Sequence, residues 1–139
     1  MSHIKLNPKY VPLFKGSTRY YIITGGRGSG KSYVVTLFLN NLTYEKDHKV
    51  LFTRYTMASA HSSIIPEFVD KIDIMGVQDD FRVTRDEIVN QTTESAIMFK
   101  GIKTASGNQT AALKSLANVS TFVVDEAEEL VDEDVFDKI

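Results

Sequence analysis

YYIITGGRGSGKSYVVTLFL, residues Tyr20 to Leu39, is the stretch on which the reading of this chain turns. Gly25, four residues, then Gly30-Lys31-Ser32 matches the spacing G-x-x-x-x-G-K-[ST] of a phosphate-binding loop. Glycine at Gly25, Gly26, Gly28 and Gly30 lets the backbone take positive φ and approach a ligand with no Cβ in the way. Successive N–H groups, including that of Ser29, then form an anion cradle at the positive end of the next helix. Lys31 is expected to reach the β- and γ-phosphates, and the Ser32 hydroxyl to ligate Mg²⁺.

The flanks support this. Tyr20-Tyr21-Ile22-Ile23 is short, aromatic and β-branched, and predicts a buried parallel strand. Beyond Ser32, Val34, Val35, Phe38, Leu39 and Leu42 fall on one stripe of a helix. The competing reading is a glycine-rich turn that binds nothing. Eight motif positions with both flanks in place favour the phosphate-binding reading.

Nucleotide hydrolysis also needs a carboxylate to hold the metal and a group to activate water. Thr121–Leu130, TFVVDEAEEL, supplies the candidates. Phe122-Val123-Val124 predicts a buried strand with Asp125 and Glu126 at its C-terminal end, where ligands bind in open α/β sheets. Asp125 is expected to hold Mg²⁺ and Glu126 to polarise the attacking water, on the opposite side of the strand by period-two geometry. The competing reading is an acidic surface helix, since Glu128, Glu129, Asp132, Glu133 and Asp134 follow.

Between these motifs, Val50–Thr53 reads as a strand ending at Arg54. Ile64, Ile65, Phe68, Val69 and Ile72 form a helical stripe that Gly76 would close, with Pro66 at its first turn or at a kink. Glu87–Gln91 and Ala96–Gly101 read as a hairpin joined through Thr92-Thr93-Glu94-Ser95. Lys103–Asn108 reads as a loop and Ala111–Leu116 as a short helix.

Bulk composition sets outer bounds. With 139 residues, 42% apolar and 24% charged, the chain suits one globular domain. No run approaches a membrane span, and Met1–Tyr10 holds no apolar signal core. The absence of cysteine excludes disulfides and thiolate metal sites. His3, His48 and His61 are too scattered to suggest a metal cluster. Net charge is −2, but residues 1–50 carry +6 and residues 121–139 carry −7. A basic front end suits a polyanion, nucleotide or DNA, although opposed faces of one fold would give the same balance.

The chain resembles the ATPase domain of the large terminase subunit of tailed bacteriophages, most closely the PBSX-type branch. The resemblance rests on the arginine-bearing loop Gly25–Ser32, the leader Asn7-Pro8-Lys9-Tyr10 and the strand ending at Arg54. It rests also on Phe99-Lys100-Gly101, and on Leu113-Lys114-Ser115-Leu116 shortly before Val124-Asp125-Glu126-Ala127. It implies an α/β P-loop NTPase of the additional-catalytic-glutamate type, with a mainly parallel sheet flanked by helices and a β-hairpin insertion. It also implies a motor driving double-stranded viral DNA into a capsid. The implied partners are a portal or procapsid, a small terminase subunit and further copies in a ring, in the host cytoplasm and without a membrane. Arg27 is then expected to contact the γ-phosphate, as a planar guanidinium suits. Tyr10 or Phe14 is a candidate for stacking on adenine or for the core. Arg54 is a candidate for nucleotide sensing, DNA contact or an ion pair. Lys100, Lys103 and Lys114 are candidates for contact with DNA or a neighbouring subunit, against solvated lysine as the default expectation.

In one respect the chain departs from the family. Neither the coupling motif on the strand after Asp125 nor the nuclease domain is present, so residues 1–139 are expected to be the N-terminal portion of one ATPase domain. In the family's sheet that strand separates the P-loop strand from the Asp125 strand. The expectation is therefore an isolated chain that is marginally stable or oligomeric, with negligible turnover. The rival readings are a helicase- or recombinase-like DNA-dependent ATPase, and an ATP-binding fragment that does not hydrolyse.

Overall fold

Local chemistry starts and stops the two long helices. The computed structural model describes residues 4–16, 18–26, 28–56, 62–102 and 118–127. Helix α1 (Val11–Phe14) is one turn following a 3₁₀ turn at Pro8–Tyr10. Helix α2 (Lys31–Leu42) begins immediately after Gly30 and buries Val34, Leu37 and Leu39. Helix α3 (Ile64–Met75) carries Pro66 in its first turn, where a missing N–H costs nothing. It stops at Gly76, whose φ of 70° admits two capping bonds: Gly76 N–H to Asp73 O and Val77 N–H to Ile72 O.

Five strands form one sheet: β1 (Lys49–Arg54), β2 (Phe81–Val83), β3 (Glu87–Asn90), β4 (Ser95–Gly101) and β5 (Thr121–Val124). Their spatial order is β2-β3-β4-β1-β5. β1 runs parallel to both β4 and β5, whereas β2–β3 and β3–β4 are antiparallel. The sheet is therefore mixed rather than mainly parallel. β4 matches β1 from Lys49↔Ala96 to Arg54↔Gly101, so the hairpin extends the central sheet. The turn that joins its strands is tied to the end of α2: Thr93 donates to the Thr43 carbonyl, and Ser95 to the Glu45 carbonyl.

One face of the sheet is closed by α3. Phe52 of β1, Phe99 of β4 and Phe68 of α3 meet edge-on or tilted at centroid distances of 5.3–5.6 Å. All three are buried, and burial of each contributes about 1.5–3 kcal/mol. Asn40 of α2 donates to the Phe68 carbonyl at 3.0 Å, fixing α2 beside α3.

Two strand expectations need correction. Tyr20–Ile23 is not a strand: it forms no ladder, and Tyr20 and Ile22 are 77% and 93% exposed. β-Propensity describes fit to a pleated, half-buried surface; a strand exists only where a neighbour takes its backbone groups. The two edges of β1 are taken by β4 and β5, and among the described residues no strand lies beside Tyr20–Ile23. β5 is in turn half-buried rather than buried, with Phe122 44% exposed, because it forms an edge of the described sheet. The three-residue β2 escaped sequence reading; its signal is only the Phe81/Val83 alternation. Lys103–Asn108 and Ala111–Leu116 lie outside the described residues. Among the described residues, no helix is long and apolar enough to cross a membrane.

Candidate active site

The glycine-rich loop closes on itself before it enters α2. Ser29 N–H donates to the Gly26 carbonyl at 3.2 Å, and Val34 N–H to the Gly30 carbonyl at 3.0 Å. Gly30 is the N-cap of α2, at φ 80° and ψ 7°, and no side chain caps the helix. The first-turn N–H groups of an α-helix have no intrahelical partner, so this terminus offers donors and a positive dipole end to an anion.

The glycines serve different ends, which corrects the uniform reading of all four. Gly28 and Gly30 take positive φ, and Gly25 does not. Gly25 is needed for space: a Cβ there would sit 2.7 Å from Ser29 Oγ and 3.0 Å from Ser29 Cβ. At Gly26, Gly28 and Gly30 a Cβ would meet nothing within 4 Å, so the loop leaves open room over its backbone. Lys31 lies across the loop, its Nζ donating to the Gly25 carbonyl at 3.1 Å. Ser32 is exposed in the first turn of α2, and Arg27 lies outside the described residues.

Tyr10 and Phe14 pack as core. Tyr10 is 7% exposed, in a cluster with Leu13 and Val34, and its hydroxyl donates to the Ser29 carbonyl at 3.0 Å. Phe14 meets Phe38 of α2 edge-on at 5.2 Å. Nothing in the sequence signalled the Tyr10–Ser29 bond, because the residues stand nineteen apart with no periodic relation.

The acids are gathered by Arg54. Asp125 N–H donates to the Thr53 carbonyl at 2.8 Å, continuing the β1–β5 ladder past Val124. Arg54, at the end of β1, donates from Nε to Asp125 Oδ2 at 2.7 Å. Another guanidinium nitrogen lies 3.8 Å from Glu126 Oε1, and a third contact reaches Ser63 Oγ at 3.3 Å. Of the readings open to Arg54, the structure shows the ion pair. It also corrects the direction of Glu126. Period-two geometry requires continued extended backbone, but the strand ends at Val124 and Glu126 has φ 53°. That left-handed turn brings its carboxylate to the guanidinium that Asp125 also holds.

The residues thus form two groups. Among the described residues, the loop's hydrogen bonds run to itself and to Tyr10, and the carboxylates of the two acids are held by Arg54. Among the described residues no hydrogen bond or ion pair joins the two groups. The donor chemistry fits Mg·nucleotide in both. An uncapped helix start with open space and a lysine suits phosphates, and the oxygen atoms of Ser32 and Asp125 suit a hard cation.

Comparison with known proteins bears on the whole assembly. No curated protein sequence matches the chain. A family profile described as phage terminase large subunit matches residues 17–139, a span that includes the glycine-rich loop, Arg54 and the Asp125-Glu126 pair. The chain belongs to the phage terminase large subunit family.

Proposed function

We propose that this chain is the ATP-binding and ATP-hydrolysing motor portion of a DNA-packaging terminase. The observation that carries this is the glycine-rich loop running directly into the uncapped start of α2, with Lys31 folded across it. In this reading the loop N–H groups from Gly25 to Ser32 hold the β- and γ-phosphates, and Lys31 exchanges the Gly25 carbonyl for a phosphate oxygen. Mg²⁺, held by Ser32 and Asp125, would supply neutralisation of phosphate charge. Glu126 orients water for in-line attack, and Arg27 contacts the γ-phosphate. Work from hydrolysis moves double-stranded viral DNA toward a procapsid through a portal, with a small terminase subunit and sister copies in a ring, in the host cytoplasm.

The test is a calorimetric titration with Mg·ATP. Lys31→Ala removes a charge-assisted contact worth about 1.5–3 kcal/mol, so affinity is expected to fall roughly 10- to 100-fold. Equal affinity of the two proteins would overturn the assignment. A second reading, an ATP-binding fragment that does not hydrolyse, is favoured by the engagement of both acids by Arg54. Steady-state phosphate release separates the two.

A further inference from the structure

Among the described residues, the Ser29 carbonyl is the one point where the phosphate-binding loop is tied to a side chain of the leader. Ser29 lies between Gly28 at φ 77° and Gly30 at φ 80°, so the chain turns sharply on both sides of it. Its side chain gives little hold: Ser29 Oγ is buried over Gly25 and has no hydrogen-bond partner among the described residues. Its carbonyl, by contrast, accepts the Tyr10 hydroxyl at 3.0 Å. In a planar trans peptide the C=O and the following N–H point in opposite directions. Holding the Ser29 carbonyl toward Tyr10 therefore aims the Gly30 N–H away from it.

Tyr10 is itself well anchored. Its N–H donates to the Asn7 carbonyl at 3.0 Å, and Asn7 Oδ1 accepts the Lys9 N–H at 3.1 Å, closing the turn that presents the ring. The ring packs with Leu13 and with Val34, which belongs to the helix that the loop enters. One support thus grips the loop and the start of α2 together. Tyr10 is 7% exposed as a residue and its ring has the Lys9 ammonium 4.8 Å from the centroid, which suits a strut better than a platform for a base.

We propose that Tyr10 is a positioning residue for the phosphate-binding loop, acting through the Ser29 carbonyl and not by stacking on a nucleobase. The proposal rests on the phosphate-binding reading above. A loop rich in glycine has much conformational freedom to lose, and affinity is reduced by the fraction of time the loop spends out of its binding form. The tyrosine hydroxyl raises that fraction.

The experiment titrates wild-type chain and Tyr10→Phe with Mg·ATP and, separately, with magnesium and inorganic tripolyphosphate, alongside a thermal melt of each ligand-free protein. Tyr10→Phe keeps the ring and removes only the hydroxyl. The expected result is a loss of about 3- to 10-fold in affinity, the same for both ligands, with the cooperative melt retained. Unchanged affinity for both ligands would overturn the proposal, whatever happens to the melting temperature, since a merely structural hydroxyl shifts the melt alone. Loss for Mg·ATP with tripolyphosphate unaffected would assign Tyr10 to the base and overturn it as well. Those two outcomes leave the phosphate-binding reading standing, whereas failure of the wild-type chain to bind either ligand overturns both.

Discussion

Replacing Arg54 by alanine removes the group that holds both acids, and its effect follows from the geometry. The Arg54 side chain is 15% exposed and that of Asp125 26% exposed, so the pair is shielded but not dry. A hydrogen bond to a charged partner at 2.7 Å contributes about 1.5–3 kcal/mol. The Glu126 contact, at 3.8 Å and 45% exposed, adds at most about 0.5 kcal/mol. About 2 kcal/mol is therefore expected from Arg54→Ala. An unfolding entropy of about 2.1 cal/mol/K per residue converts this, over 139 residues, to a fall of about 7 °C in melting temperature. Asp125→Ala is expected to cost at least as much, because it strands the more deeply buried partner of the two. A double-mutant cycle of Arg54→Ala and Asp125→Ala, followed by urea denaturation with circular dichroism, isolates the pairwise energy. The expected coupling is about 1.5–2 kcal/mol. A coupling below about 0.5 kcal/mol would class the pair with ordinary surface ion pairs and refute the reasoning.

Further outcomes follow from the loop and from the acids. Gly25→Ala drives a Cβ to 2.7 Å from Ser29 Oγ, on a residue that Tyr10 holds from the other side. Strain of about 1–3 kcal/mol should weaken Mg·ATP binding roughly tenfold or more, and Ser29→Gly in the same chain should restore part of it; no loss in a titration would disprove the close-approach role. Glu126→Gln should keep Mg·ATP affinity while slowing phosphate release by about 100-fold or more in a chain competent for turnover. Full turnover by Glu126→Gln would require another base.

Much of the frame was legible because its signals are local. The α3 stripe, Pro66 in its first turn and the left-handed Gly76 are properties of a dozen consecutive residues, and they appear where the periodicity places them. The same holds for α2 after Gly30 and for the alternation of β4, whose burial changes at every residue. Tyr20–Ile23 shows the limit of such signals. Its side chains suit a strand, yet backbone pairing needs a neighbour, and residues 20–23 contain no information about one.

The sequence by itself determined the glycine spacing of the loop before α2, the helix behind it, the strand that leads into Asp125, and membership in the phage terminase large subunit family. Only the tertiary structure decided which residues support that site. Arg54 reaches Asp125 across seventy-one positions and Tyr10 reaches Ser29 across nineteen. The direction of Glu126 depends on a left-handed backbone turn where the β1–β5 ladder stops. Periodicity records which face of an element is buried, but a hydrogen bond between distant side chains depends on how elements pack, and that is set by the whole chain at once.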